Sequence, residues 1–195
     1  MVIRIHFSLR FIAILFLAWG SVSAQGVNGV PSESVAATLG RVEETLLVLK
    51  SQKGPKDVNL FRSIARQLRD ILAADPNSGF RSQVEANLDL VNESLAYHEL
   101  MIASFYMVRS NGHSLRGAEL RLQAITQQYP KFSKMDEVLL RLGEIARLEE
   151  REDDAPVFYW RLICNYPSSE YIGSAFERLN QIGVKSWEGC QKFRP

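Results

Sequence analysis

A tyrosine followed by proline occurs twice, at Tyr129-Pro130 and Tyr166-Pro167, each time directly after a run of apolar residues at helical spacing. Proline has no N–H with which to continue a helix, and its ring biases the preceding residue out of the α region, so each pair is a physical stop. Sliding the chain by 37 residues superimposes Ala118 on Ala155, Leu122 on Tyr159 and Ile125 on Leu162, and beyond the proline Val138 on Ala175, Leu142 on Leu179 and Ile145 on Ile182. Agreement on both sides of the stop indicates a repeat. Another copy lies upstream at Asp75-Pro76, displaced by 54 residues, with Ile64, Leu68 and Ile71 before the proline and Val84, Leu88 and Val91 after it.

Each copy reads as an amphipathic helix, a short proline turn and a second amphipathic helix, with apolar residues at i, i+4 and i+7. Ala118, followed by Leu122 and then Pro130, resembles the second helix of a tetratricopeptide repeat. A helix pair alone leaves an apolar face open, so the copies must stack. The expected fold is all-α: a tetratricopeptide-like solenoid of antiparallel helix pairs, with no strand alternation to compete. Upstream, Ser34 is placed to cap a helix carrying Val35, Leu39, Val42, Leu46 and Leu49 on one face, with the stop "KGP" at 53–55. Residues 80–110 contain neither Gly nor Pro, which predicts one long helix or two with a soft kink before the turn "SNGHS".

The beginning of the chain follows different rules. Arg4 and Arg10 precede the apolar run "FIAILFLAW" and the small residues "SVSAQG", the pattern of a secretory leader cut after Ala24. Its apolar core spans nine residues, whereas a membrane-spanning helix needs about 20. The expected organisation is a signal peptide at 1–24, a flexible segment at 25–33, the repeat domain at 34–185 and a tail at 186–195. Without Arg4 and Arg10 the basic residues fall from 23 to 21 against 22 acids, a charge that argues against a nucleic-acid partner. Cys164 and Cys190 would then sit in an oxidising compartment that permits pairing. A bridge would close a loop of about 25 residues, worth roughly 3 kcal/mol in the chain-entropy model. Spacing alone leaves a structural bridge and two inert thiols both open.

Little in the chain resembles catalytic machinery. His98 and Glu99 begin a zinc-protease pattern, but the second histidine would have to stand four residues on, where Ile102 is found. His98 is therefore expected on a helix surface, and His113 in a solvated turn. No nucleophile with its base, phosphate loop or paired acids is evident, so no enzyme activity, cofactor, metal or small-molecule substrate is expected. The acidic run "EEREDD" at 149–154 reads as a solvated loop or a docking point for a basic surface. In the last copy aromatic residues replace polar ones: Phe158 stands where the others carry Arg121 and Gln67, and Trp160 where they carry Gln123 and Arg69. They either cap the solenoid against the tail or form a partner-binding patch.

The stretch "DPNSGFRSQVEANLDLVNESLAYHELMIASFYMVR" resembles the BamD family of outer-membrane protein assembly factors. The resemblance is carried by Pro76, Ser78, Phe80, Leu95-Ala96, Glu99, Ala103, Phe105, Tyr106 and Arg109. It continues through Ala118, Arg121 and Tyr129-Pro130 and covers 64–183. It implies a periplasmic, non-enzymatic scaffold that supports assembly of outer-membrane β-barrels through protein contacts. The implied partners are the central barrel component and other subunits of the machine, met by the face around Arg109 and Arg121, with membrane association through those partners. As residues alone, both arginines are also ordinary helix-surface ion-pair donors. The family's lipid-bearing Cys has no counterpart at the expected cleavage point, and the turn between Arg109 and Ala118 is a few residues longer. The mature chain also looks too short for the family's N-terminal repeats, so these departures favour contact through the C-terminal half over client binding through those repeats. They also keep a second reading: a soluble periplasmic adaptor for cell-wall or division machinery.

Overall fold

The computed structural model describes residues 32–51, 57–109, 111–151, 153–184 and Cys190. Among them the chain forms seven helices and no strand: α1 (Ser32–Ser51), α2 (Val58–Ala74), α3 (Arg81–Arg109), α4 (Gly112–Gln128), α5 (Met135–Leu148), α6 (Ala155–Asn165) and α7 (Ile172–Gln181). The expected leader, the stop at 53–55 and all of the tail but Cys190 lie outside the described residues.

The proline stops recur in the backbone itself. α2, α4 and α6 end on Asp75, Tyr129 and Tyr166, whose φ values of −140°, −131° and −129° take each pre-proline residue out of the helix. Each still donates its N–H to the carbonyl four residues back, at 3.1, 2.9 and 2.9 Å. Each carbonyl then accepts from the residue three ahead, Ser78, Phe132 or Ser169, at 3.2, 3.0 and 2.9 Å. One turn is thus built three times from one local rule.

Two of the helix starts, those of α2 and α4, are set by polar side chains. Asp57 accepts from the N–H groups of Asn59 and Leu60, and Asn111 from that of Ser114, so α2 and α4 begin at satisfied caps. α1 already begins at Ser32, two residues before Ser34. The apolar face expected for α1 is buried through Val35, Leu39, Val42, Leu46 and Leu49.

The stretch at 80–110 forms one unbroken helix, α3, of 29 residues. Its N-terminal half, through Val84, Val91 and Leu95, completes a core with α1 and α2. Its C-terminal half, through Ala96, Leu100 and Ala103, opens a second core that runs through α4 and α5 to α7. Tyr129, at the first Tyr-Pro stop, packs against both. In the second core the aligned positions Ala118, Leu122, Ile125, Ala155, Tyr159 and Leu162 are fully buried. Gly143 is required where α5 meets α6, since a Cβ there would run into the Tyr159 ring.

Because Pro130 stands after α4 has ended, replacing it with Ala is expected to change unfolding free energy by less than about 1 kcal/mol. Leu122→Ala, eight residues earlier in the sealed core, is expected to cost about 2 to 5 kcal/mol. Denaturant unfolding of the two variants compares them directly, and equal losses would show that the turn carries stability of its own.

Candidate protein-interaction surface

Arg121 projects from the middle of α4 onto α3, where its Nη1 donates to Oε2 of Glu99 at 2.8 Å. The other oxygen of Glu99 receives Arg62 of α2 at 3.5 Å. The side chain of Glu99 is only 11% exposed, so this carboxylate ties three helices together where water screens little. Burial, followed by the negative charge of Glu99, also raises the pKa of the nearby Tyr129 phenol. Arg109 lies in a different setting. It ends α3 in the open, its guanidinium 4.5 Å over the Phe105 ring. Ten residues of helix, about 15 Å, separate it from Glu99, so the two arginines mark separate points along α3 and do not form one cluster.

The aromatic residues of the last copy point largely inward. Trp160 is 7% exposed and meets Phe176 of α7 edge-on, with ring centroids 6.2 Å apart. Phe158 is half-buried against the same core. That packing leaves Trp160 little surface for a partner and joins α6 to α7. One turn later Cys164 is bridged to Cys190, their Cα atoms 5.4 Å apart, which fastens the tail to α6. His98 is half-buried, and its Nδ1 is buried without a hydrogen-bond partner. His113 is exposed at the start of α4. No group of three His, Cys, Asp or Glu among the described residues is placed to hold a metal ion.

Two paired carboxylates, the buried Glu119 and the partly buried Glu144, are not legible in the sequence. Glu119 of α4 is 1% exposed. Its oxygens accept from Arg116 and Arg151 at 2.7 Å each and from Gln123 at 3.2 Å. Arg151 also holds Glu149 and Asp154, and Glu150 beside it turns at φ 57°. The run at 149–154 is therefore anchored through its one arginine to a carboxylate of the preceding helix pair, which the solvated-loop reading did not anticipate. Glu144 of α5 repeats the device, receiving Arg178 of α7 at 2.6 Å and Arg147 at 3.0 Å. The Tyr159 hydroxyl donates to it at 3.4 Å. In sequence, Glu119 is one more acid beside an apolar position. The only local sign is the flanking pair Arg116 and Gln123, three and four residues away.

Removing Arg151 leaves Glu119 buried with a single guanidinium, so Arg151→Ala is expected to cost about 2 kcal/mol or more. Arg81→Ala, which breaks an exposed pair with Glu85, is expected to cost about 0.5 kcal/mol or less. Chemical denaturation distinguishes the two. Burial, then the charge of Glu144, pushes the Tyr159 phenol well above its ordinary value of 10.0. The neutral form is favoured in the folded state, so the contribution of Tyr159 is complete below about pH 10 and is lost as the pH rises further. Tyr129, Tyr166 and Tyr171 are raised as well, chiefly by burial. Tyr159→Phe is therefore expected to make the alkaline fall in melting temperature shallower without abolishing it.

The profile of the YfiO family, described as outer membrane lipoprotein, matches residues 34–156. An outer membrane protein assembly factor BamD from Caulobacter vibrioides is 28% identical over 66% of this chain and 43% of its own length. A protein of the same description from Rickettsia prowazekii is 29% identical over 55% of this chain and 41% of its own. The chain thus spans less than half the length of these curated relatives. No solved structure matches it significantly.

Proposed function

Because the chain belongs to the YfiO outer membrane lipoprotein family, we propose that it is a non-enzymatic helical-repeat scaffold that supports assembly and insertion of outer-membrane β-barrel proteins. The observation that carries this reading is the family match itself, which runs from α1 to the start of α6 and so includes the first core, the α3–α5 part of the second and the stretch from Glu99 to Arg121. The relatives' description as assembly factors supplies the process. The work is done by binding: stacked helices present fixed side chains to the central barrel component and to other subunits of the machine. The chain is exported and held at the periplasmic face of the outer membrane through those contacts. No helix among the described residues is long and apolar enough to cross a membrane.

On this surface Arg109 is the residue free to recruit a partner's carboxylate, since its neighbour is a ring and its end of α3 is exposed. Arg121 contributes less directly, by fixing α4 against α3 through Glu99. The half-buried edge of Phe158 adds an apolar rim. Affinity purification of the tagged protein from its own envelope is expected to recover the β-barrel assembly core. Recovery of cell-wall or division proteins instead, with the chain released among soluble periplasmic proteins, would replace this function with the adaptor reading. Arg109→Glu is expected to lower recovery of the partner about tenfold or more while leaving the melting temperature unchanged. Unchanged recovery would return Arg109 to the solvated surface.

A further inference from the structure

Helix α3 leaves one apolar face uncovered. Leu90, Tyr97, Met101, Phe105 and Val108 are between 45% and 85% exposed, an unusual concentration for one helix. Ser94 and Ser104 complete the stripe. Their hydroxyls donate to the carbonyls of Leu90 and Leu100 in their own helix, at 3.2 and 2.8 Å, so neither brings an unmet hydrogen bond to a dry contact. Positions 90, 94, 97, 101, 104 and 108 advance by alternating steps of four and three, the spacing of a helix-pairing seam.

The stripe is complementary to itself when reversed. Turned end for end about the level of Glu99, Leu90 falls opposite Val108, Ser94 opposite Ser104 and Tyr97 opposite Met101. Large residues then meet large ones and small meet small. This is the condition for an isologous contact, in which residue i of one copy meets j of the other and j meets i. Charge favours the same orientation. The first half of α3 carries Glu85, Asp89 and Glu93 against one arginine, Arg81, which pairs with Glu85, whereas Arg109 closes the other end. Reversed copies bring the acidic half towards the basic end and oppose the helix dipoles, while parallel copies would set like on like. The ion pair of Asp89 with Lys131 at 2.9 Å and the ammonium of Lys134 at 5.5 Å from the Tyr97 ring form a polar rim beside the stripe.

We propose that a second copy of this chain docks antiparallel on α3 through this seam. The contact from 90 to 108 is about 27 Å long, and a single helix pair of that length lies at the small end of specific interfaces. Association is therefore weak, reversible and dependent on concentration.

The test uses the processed chain purified from its own host, with the Cys164–Cys190 bridge intact. Sedimentation equilibrium over about a hundredfold range of concentration is expected to show the mass rising from monomer towards dimer. Met101→Glu places a carboxylate against Tyr97 of the other copy, next to the centre of the seam. It is expected to weaken association about tenfold or more without changing the melting temperature or helical circular dichroism. Phe105→Ser, at an exposed position, provides a second variant with the same expectation. Leu90→Cys and Val108→Cys chains are expected to cross-link when mixed and not when either is oxidised alone. A monomer at every concentration overturns the proposal. So does a dimer indifferent to both seam variants, or a cross-link formed by each cysteine variant on its own, the sign of parallel pairing. A chain that stays monomeric while its α3 face retains a different protein overturns it as well.

Discussion

Everything in this molecule hangs on α3 remaining a single helix. Residues 81–109 contain no glycine or proline, so the backbone hydrogen-bond ladder is not interrupted where Leu95 serves one core and Ala96 the next. Its two halves therefore move as one rigid element. A kink there would change the angle between the α1–α2 side and the α4–α7 side without altering either core internally. The proline turns act in the opposite sense. By ending α2, α4 and α6 in the same conformation, they return the chain at regular intervals, so that each new helix lands on the face the previous one left open.

Burying carboxylates between stacked helices is costly unless each is paired and hydrogen-bonded. Glu99, Glu119 and the partly buried Glu144 meet that condition in the same manner, each taking a guanidinium from another helix or turn. The apolar contacts beneath them are non-directional and would tolerate some sliding of one helix over another. A carboxylate held by two arginines tolerates little. In this solenoid apolar burial supplies the drive to stack, and the ion pairs set the register in which the helices stack.

The same economy divides the surface. Arginines that lock helices together have less freedom to meet a partner, which separates Arg121 from Arg109 although both lie in the stretch that resembles the assembly factors. The aromatic residues of the last copy are directed mostly into the core, leaving the strongest concentration of exposed apolar area among the described residues on α3 itself. The longest helix is thus both the beam shared by the two cores and the most open apolar face among the described residues.

The sequence by itself determined the stops, the copies and the buried positions, because these follow from local rules: proline's missing donor, the bias on the residue before it, and the spacing of apolar residues on a helix. The absence of breakers at 80–110 allowed one long helix or two with a soft kink, and only the structure decided for the single helix α3. The sequence did not disclose which way Trp160 faces, since an aromatic residue in a polar register suits a cap and a patch equally well. Nor did it disclose the partners of the arginines. Arg121 reaches Glu99 across 22 positions, Arg151 reaches Glu119 across 32 and Arg178 reaches Glu144 across 34. A charge carries no periodic mark of the charge it will meet. Only the stacking of helices decides which guanidinium arrives at which carboxylate, and whether water is still there when it does.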